Sequence, residues 1–183
     1  MLSALWRTAR PKQWLKNVLV FAAPGAAGVL DDGNNLWLTL LAFVSFCLAA
    51  SGIYVWNDLL DVEADRRHPT KCSRPIPAGE LSIGAARIAG VVLPVAALVV
   101  AGFTGRWQTV AVVGTYIVIT IAYTLYLKHV PVVDVVTVAA GFVLRAAAGA
   151  VAVDVPMSRW FVLCITFGSL FIVVGKRYAE LNE

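Results

Sequence analysis

Residues 36–56 read LWLTLLAFVSFCLAASGIYVW, and residues 57–79 continue as NDLLDVEADRRHPTKCSRPIPAG. An α-helix needs roughly 20 apolar residues to cross a bilayer, and 36–56 meets that length without a single charge. The switch at Asn57 from uninterrupted hydrocarbon to dense charge marks a membrane–water boundary. This pairing of an apolar run with a charged loop implies an all-α fold, a polytopic transmembrane helix bundle.

The remainder of the chain follows the same pattern. Of 183 residues, 60% are hydrophobic and 14% charged, whereas a soluble domain is nearer half apolar and about a quarter charged. Further runs of spanning character lie at 17–30, 82–103, 107–127, 133–153 and 158–175, so six spans are expected in one membrane domain over 1–183. The first is short and carries Pro24, which predicts a tilted or broken segment whose freed backbone groups are satisfied by neighbours. The last two are rich in Ala, Gly and Ser, which let helices approach closely. The net charge of +4 does not indicate nucleic acid, because the basic residues sit in short clusters between apolar runs.

Those clusters predict the orientation. Arg7, Arg10, Lys12 and Lys16 precede the first run. Arg66, Arg67, Lys71, Arg74 and Arg87 follow the second, Lys128 the fourth, and Lys176 and Arg177 the sixth. The opposite side carries only Arg106 and Arg159, and Arg145 falls within a span. The positive-inside rule then puts the N-terminus and the loop at 57–81 in the cytoplasm, with the chain in the plasma (inner) membrane. A secretory signal peptide is the competing reading of residues 1–30; the basic segment is more specific than such a peptide requires. Cys47 and Cys164 read as packing residues and Cys72 as a loop residue, since three cysteines without paired spacing make neither a disulfide framework nor a zinc site.

The chemistry concentrates in the loop. If the helix of 36–56 continues past Trp56, Asn57, Asp61 and Asp65 share one face with Asp58 beside them. Three clustered carboxylates require a cation, and Mg2+ is the natural one, since it takes oxygen ligands from carboxylates and substrate phosphates. Arg66, Arg67, Lys71 and Arg74 supply the opposite charge, so acids for a metal are followed by cations for phosphate oxygens. Pro69, Pro75 and Pro77 stiffen the segment, and Gly79 permits the turn into the next span. His68 reads as a structural loop residue.

The string Asn57-Asp58-x-x-Asp61-x-x-x-Asp65, with Arg74-Pro75 and Gly79 after it, resembles the first Asp-rich motif of the UbiA superfamily of intramembrane prenyltransferases. The fuller pattern N-D-x-x-D-x-x-x-D-R-x-H-P-x-K-x-x-R-P-I resembles its phosphoribosyltransferase branch, as does Arg10-Pro11-Lys12-Gln13-Trp14-Leu15-Lys16-Asn17 near the start. The resemblance implies a helical bundle around a cytoplasm-facing cavity and magnesium-dependent diphosphate chemistry. It further implies transfer of 5-phosphoribosyl from phosphoribosyl diphosphate to polyprenyl (decaprenyl) phosphate, a step toward cell-wall arabinan. Members usually have about nine spans, so six imply a bundle lacking its last three.

On this reading Asn57, Asp58, Asp61 and Asp65 hold Mg2+, and Asp58, Asp61, Lys71 and Arg74 carry the catalysis, the latter two clamping phosphate oxygens. Lys176-Arg177-x-x-Glu180 stands where most members have a second Asp-rich motif, and cations there suit a donor with an additional phosphate. Arg10, Lys16, Asn17, Arg67, Tyr126, Lys128, Asp134 and Arg145 complete the substrate-binding candidates. Arg145, costly inside a membrane, should face the cavity or a partner; Asp134 shares its helix face about 16 Å away. For both, a phosphate contact and a structural partner are open alternatives, and interfacial anchoring is favoured for Tyr126 and Lys128. The competing functions are prenyl transfer from a polyprenyl diphosphate to an aromatic acceptor, and a transporter or structural bundle. The first lacks its expected second acidic motif; the second leaves the ordered carboxylates unexplained. A homo-oligomer is compatible with the sequence.

Overall fold

The computed structural model describes residues 2–126 and 131–181, with the side chains at 131, 180 and 181 outside that description. Among the described residues, helices joined by turns are the regular structure. A short helix α1 (Leu2–Ala9) leads into a 3-10 helix (Pro11–Phe21) and a single-turn α2 (Ala22–Ala26). The long α3 (Gly33–Leu60) follows, then α4 (Val62–Arg67), a 3-10 turn (Lys71–Ser73), α5 (Ile83–Gly102), α6 (Trp107–Leu125), α7 (Pro131–Ala152) and α8 (Arg159–Leu181). Five helices, α3 and α5 to α8, are long and apolar enough to cross a membrane.

The expected span at 17–30 is not among them. Pro11 opens the segment as a 3-10 helix and Pro24 lies in the single turn of α2, so no continuous α-helix of membrane length forms. The segment nevertheless runs antiparallel along α3. The Trp14 indole donates to Ser51 Oγ at 3.0 Å, the Asn17 amide reaches Cys47 Sγ at 3.2 Å, and Phe21 packs on Phe43 with ring centroids 5.7 Å apart. A 3-10 helix rises about 2 Å per residue, so this tighter winding covers much of the bilayer depth with few residues.

Helix α3 is the centre of the bundle: 56% of its apolar stretch is buried, against 11% for α8. Asp32 caps its start, its carboxylate accepting from the Asn34 and Asn35 amides at 2.8 and 2.9 Å, which satisfies two otherwise orphan donors. The core joins Phe46 and Ala49 of α3 to Ala97 and Ala101 of α5, Val113 and Tyr116 of α6, Ala148 and Ala152 of α7, and Val20 of the 3-10 helix. Small residues dominate because the backbones nearly touch. A Cβ on Gly52 would lie 2.5 Å from Pro94 Cδ of α5. The large exposed side chains of α8, among them Trp160, Phe167 and Phe171, face outward, as a lipid-bathed helix allows. Cys164, expected to pack, is exposed on the same helix.

A second cluster fastens the charged loop to the bundle. Ile76 and Leu81 are buried with Ala4 of α1, Val55 of α3 and Ala86 of α5. Gly79, at φ +77°, makes the turn behind Ile76, and the Arg7–Glu80 ion pair at 2.9 Å ties α1 to its far end.

The tightest contact lies between α7 and the 3-10 helix, where a Cβ on Gly149 would sit 1.7 Å from the Val20 carbonyl oxygen. Gly149→Ala should therefore lower stability by about 2 kcal/mol or more through backbone displacement. Gly84→Ala, where nothing lies within 4 Å, should leave it unchanged or raise it by up to about 1 kcal/mol. Thermal unfolding of the two variants in detergent checks the contrast.

Candidate active site

The charged segment follows α3 with one irregular residue, Asp61. The helix ends at Leu60, Asp61 leaves the helical region at φ −94°, ψ 7°, and α4 begins afresh at Val62. The Asp61 amide still donates to the Asn57 carbonyl at 3.0 Å and the Asp65 amide to the Asp61 carbonyl at 2.8 Å, so the i, i+4 register of Asn57, Asp61 and Asp65 carries across that irregular residue. Asp58 and Asp65 are nearly sealed from solvent and are engaged by arginines. Arg74 Nη1 donates to Asp65 Oδ2 at 2.6 Å and to Asp58 Oδ1 at 3.2 Å. Arg10 Nη2 donates to the same Asp58 oxygen at 2.5 Å.

The backbone explains how both arginines arrive. Arg74 precedes Pro75-Ile76-Pro77, a buried turn closed by the Leu81 amide on the Pro75 carbonyl at 3.0 Å. Arg10 adopts φ 53°, ψ 62° immediately before Pro11, a left-handed conformation costing a non-glycine residue about 1–2 kcal/mol. It is held there by the ion pair with Asp58 and by stacking over the Tyr54 ring, 5.1 Å from the centroid. Arg67 and Lys71 are exposed on the loop. His68 is structural as expected, its Nδ1 accepting from the Thr70 and Lys71 amides at 3.3 and 3.4 Å.

Magnesium at this motif must satisfy what the residues offer. Asn57, Asp58, Asp61 and Asp65 are oxygen donors, as a hard cation needs. Among the described residues, however, no three His, Cys, Asp or Glu side chains are placed to enclose an ion. Two of the four candidate ligands, Asp58 and Asp65, are ion-paired with Arg10 and Arg74. Magnesium commonly takes one or two protein carboxylates, with phosphate oxygens and waters completing the shell. The residues fit an ion that arrives with a diphosphate.

Next to the motif lies a cavity of about 350 Å³ between α3, α6, α7 and α8. Asn57 and Tyr54 of α3, Tyr116, Thr120 and Tyr123 of α6, Arg145 of α7, Lys176 and Arg177 of α8, and Lys16 line it. Burial, together with the like charges of Lys176 and Arg145, pushes the Lys16 ammonium below the ordinary lysine range. Tyr54 and Tyr116 escaped the sequence reading, but a signal was present: Tyr54 and Asn57 on α3, and Tyr116, Thr120 and Tyr123 on α6, recur at helical spacing within apolar spans.

Asn17, Arg145 and Asp134, further substrate-binding candidates, have protein partners, as Arg10, Arg74 and Arg177 do. Asn17 is fully buried, accepting from Arg145 Nε at 2.8 Å while donating to Cys47, so it cannot meet a ligand directly. Arg145 also donates to the Gly141 carbonyl at 2.6 Å and the Tyr116 hydroxyl at 3.1 Å, and lies beside the Phe46, Tyr116 and Phe142 rings. Asp134 accepts from the Tyr123 hydroxyl at 2.7 Å and is ion-paired with Arg177. Arg145 and Asp134 thus both have protein partners, and Arg145 also borders the cavity. Tyr126 is exposed at the end of α6, consistent with anchoring. Lys128 and the Glu180 side chain lie outside the described residues.

The chain is thus a multi-pass helical membrane bundle with a cavity beside an Asp-rich, arginine-clamped helix end. Residues 18–179 match the UbiA prenyltransferase family, and the chain belongs to it. The chain is 48% identical to the decaprenyl-phosphate phosphoribosyltransferase of Mycolicibacterium smegmatis, over 100% of its own length and 58% of the relative's. With the Corynebacterium glutamicum protein of the same name it shares 47% identity over 96% of its length and 54% of the relative's. It therefore spans little more than half the length of these curated relatives. In fold it resembles the UbiA homolog from Archaeoglobus fulgidus solved with GPP and Mg2+, with a TM-score of 0.79 at 19% identity, covering 98% of this chain and 64% of that one.

The Arg74–Asp65 pair is open to measurement. Breaking a buried ion pair from one side costs about 3–5 kcal/mol, but Arg74 is about a third exposed, so screening reduces the effect. Arg74→Met and Asp65→Asn should each destabilise, and the double variant should lose less than their sum by about 1–2 kcal/mol. A double-mutant cycle on detergent unfolding midpoints measures this; additive losses would remove the pair from the account.

Proposed function

We propose that the protein transfers 5-phosphoribosyl from phosphoribosyl diphosphate to a polyprenyl phosphate such as decaprenyl phosphate, releasing diphosphate, in the supply of cell-wall arabinan precursors. The observation that carries this reading is the 48% identity, along the whole chain, to a protein named for that activity. The wall of the cavity supports it independently. Lys176 and Arg177 line the cavity, and such cations suit a donor with a phosphate at each end better than a simple prenyl diphosphate.

In this reading Asn57, which lines the cavity, and Asp61 hold Mg2+ with the donor, while Asp58 and Asp65 keep Arg10 and Arg74 in place. Magnesium would neutralise the leaving diphosphate. Arg74 and Lys71 bind its oxygens as charge accumulates on them, and donors fixed in advance are effective because they need not reorganise during the reaction. The acceptor phosphate is already an anion, so no general base is required; the walls need only bring it to the ribose carbon in line with the departing group. The basic clusters flanking the motif favour a cytoplasmic active site in the plasma membrane.

Membranes containing the protein, given ribose-labelled phosphoribosyl diphosphate, polyprenyl phosphate and magnesium, should pass label into the lipid fraction. Asp61→Asn should reduce that transfer by about 10²-fold or more, the order expected for a group that stabilises developing charge. No labelled lipid, or label entering only from a prenyl diphosphate, would overturn the assignment.

A further inference from the structure

The wall of the cavity and the layer behind it carry opposite charge. Lys16, Arg145, Lys176 and Arg177 all line the cavity, and no Asp or Glu is among the described residues that do so. Asp134 lies behind the wall, 5% exposed. Its Oδ1 accepts the Tyr123 hydroxyl at 2.7 Å, and its Oδ2 pairs with Arg177. Both partners are themselves lining residues. One sealed carboxylate on α7 therefore grips a side chain from α6 and another from α8 from the rear.

A tie between helices would need no cavity in front of it. Here the gripped guanidinium remains 46% exposed and faces a space within the roughly 300–1,000 Å³ range of small-molecule sites. Four cations border this space, Asp134 behind Arg177 being paired with one of them, so an entering anion is favoured there. The Asp58–Asp65 end of α3 uses the same construction, buried acids holding Arg10 and Arg74 toward the motif.

We propose that Asp134 is a positioning residue which, with Tyr123, fixes Arg177 as one wall of an anion subsite separate from the Asp-rich motif, and that this subsite takes a phosphate monoester. Arg177 and Lys16, from opposite ends of the chain, contact the phosphate; Asp134 acts through Arg177 and does not touch it. The proposal rests on the phosphoribosyl-transfer reading only for the origin of the phosphate. A monoester occurs at the 5-position of the donor and at the head of the lipid acceptor, and both present the same chemistry to these cations.

The test is binding, measured by calorimetry on the purified protein in detergent with EDTA, so that neither magnesium nor turnover contributes. The probes are ribose 5-phosphate and geranyl phosphate, with ribose as the uncharged control. One of the phosphates should bind and ribose should not. Affinity should fall about tenfold or more in Arg177→Met and Asp134→Asn, as expected for loss of a charged hydrogen bond. It should change less than about twofold in Asp61→Asn and recover substantially in Asp134→Glu. If Asp134→Asn does not fold, Tyr123→Phe takes its place, with an expected loss of about threefold to tenfold. The phosphate that shows this pattern identifies the source. Unchanged binding in both the Arg177 and Asp134 variants would overturn the subsite, as would equal loss in Asp61→Asn. Normal binding without transfer of labelled ribose would overturn the reaction assignment alone.

Discussion

The structure depends on the guanidinium of Arg145, a charge placed within an apolar helix. Exposed to lipid it would cost at least a few kcal/mol, so the bundle is arranged to accommodate it. Gly141 offers a carbonyl from the preceding turn, Tyr116 a hydroxyl from α6, and Asn17 an amide oxygen from the 3-10 helix. Phe46, Tyr116 and Phe142 present ring faces or edges around it. The acceptors are neutral, so the cation keeps its field and projects it into the cavity. The Asn17 contact also fixes the first segment against α7, where Gly149 admits the Val20 carbonyl.

Docking that segment places the rest. Once Asn17 is committed, Lys16 borders the cavity one residue earlier, and Arg10 lies a few turns back at the level of the α3 terminus, where Asp58 receives it. The unfavourable backbone at Arg10 is sustained because Asp58, Tyr54 and the packed helix on either side all require it. The α3 terminus and the Arg177 wall of the cavity then follow one plan: a buried acid holding a cation. Such an arrangement fixes long, flexible side chains before a ligand arrives, lowering the entropy lost on binding.

How much of this was legible varies by element. Helices α3 and α5 to α8 were readable from apolar runs because a bilayer imposes a length that composition alone can satisfy. The 3-10 segment was not: Pro11 and Pro24 warn of irregularity, but nothing local says that Trp14, Asn17 and Phe21 will find partners along α3. The same holds for the acids. Asn57, Asp61 and Asp65 keep helical register across Asp61, but nothing local says that Arg10 and Arg74 will claim Asp58 and Asp65. Arg145 and Asp134, on one face of α7, looked like a pair of similar candidates; each instead met residues from other helices.

Residue order by itself determined a membrane-embedded helical bundle, a charged motif at the end of its central helix, and cations suited to phosphate on both sides of it. Those properties are set by hydrophobic run length and local charge, which neighbouring residues decide. Tertiary structure alone decided which acids remain available: Asp58 and Asp65 bind Arg10 and Arg74, Asp134 binds Arg177 and Tyr123, and Asn17 is committed to Arg145. A buried charge must be paired by whatever the fold brings near, and those partners lie as many as 128 positions away along the chain.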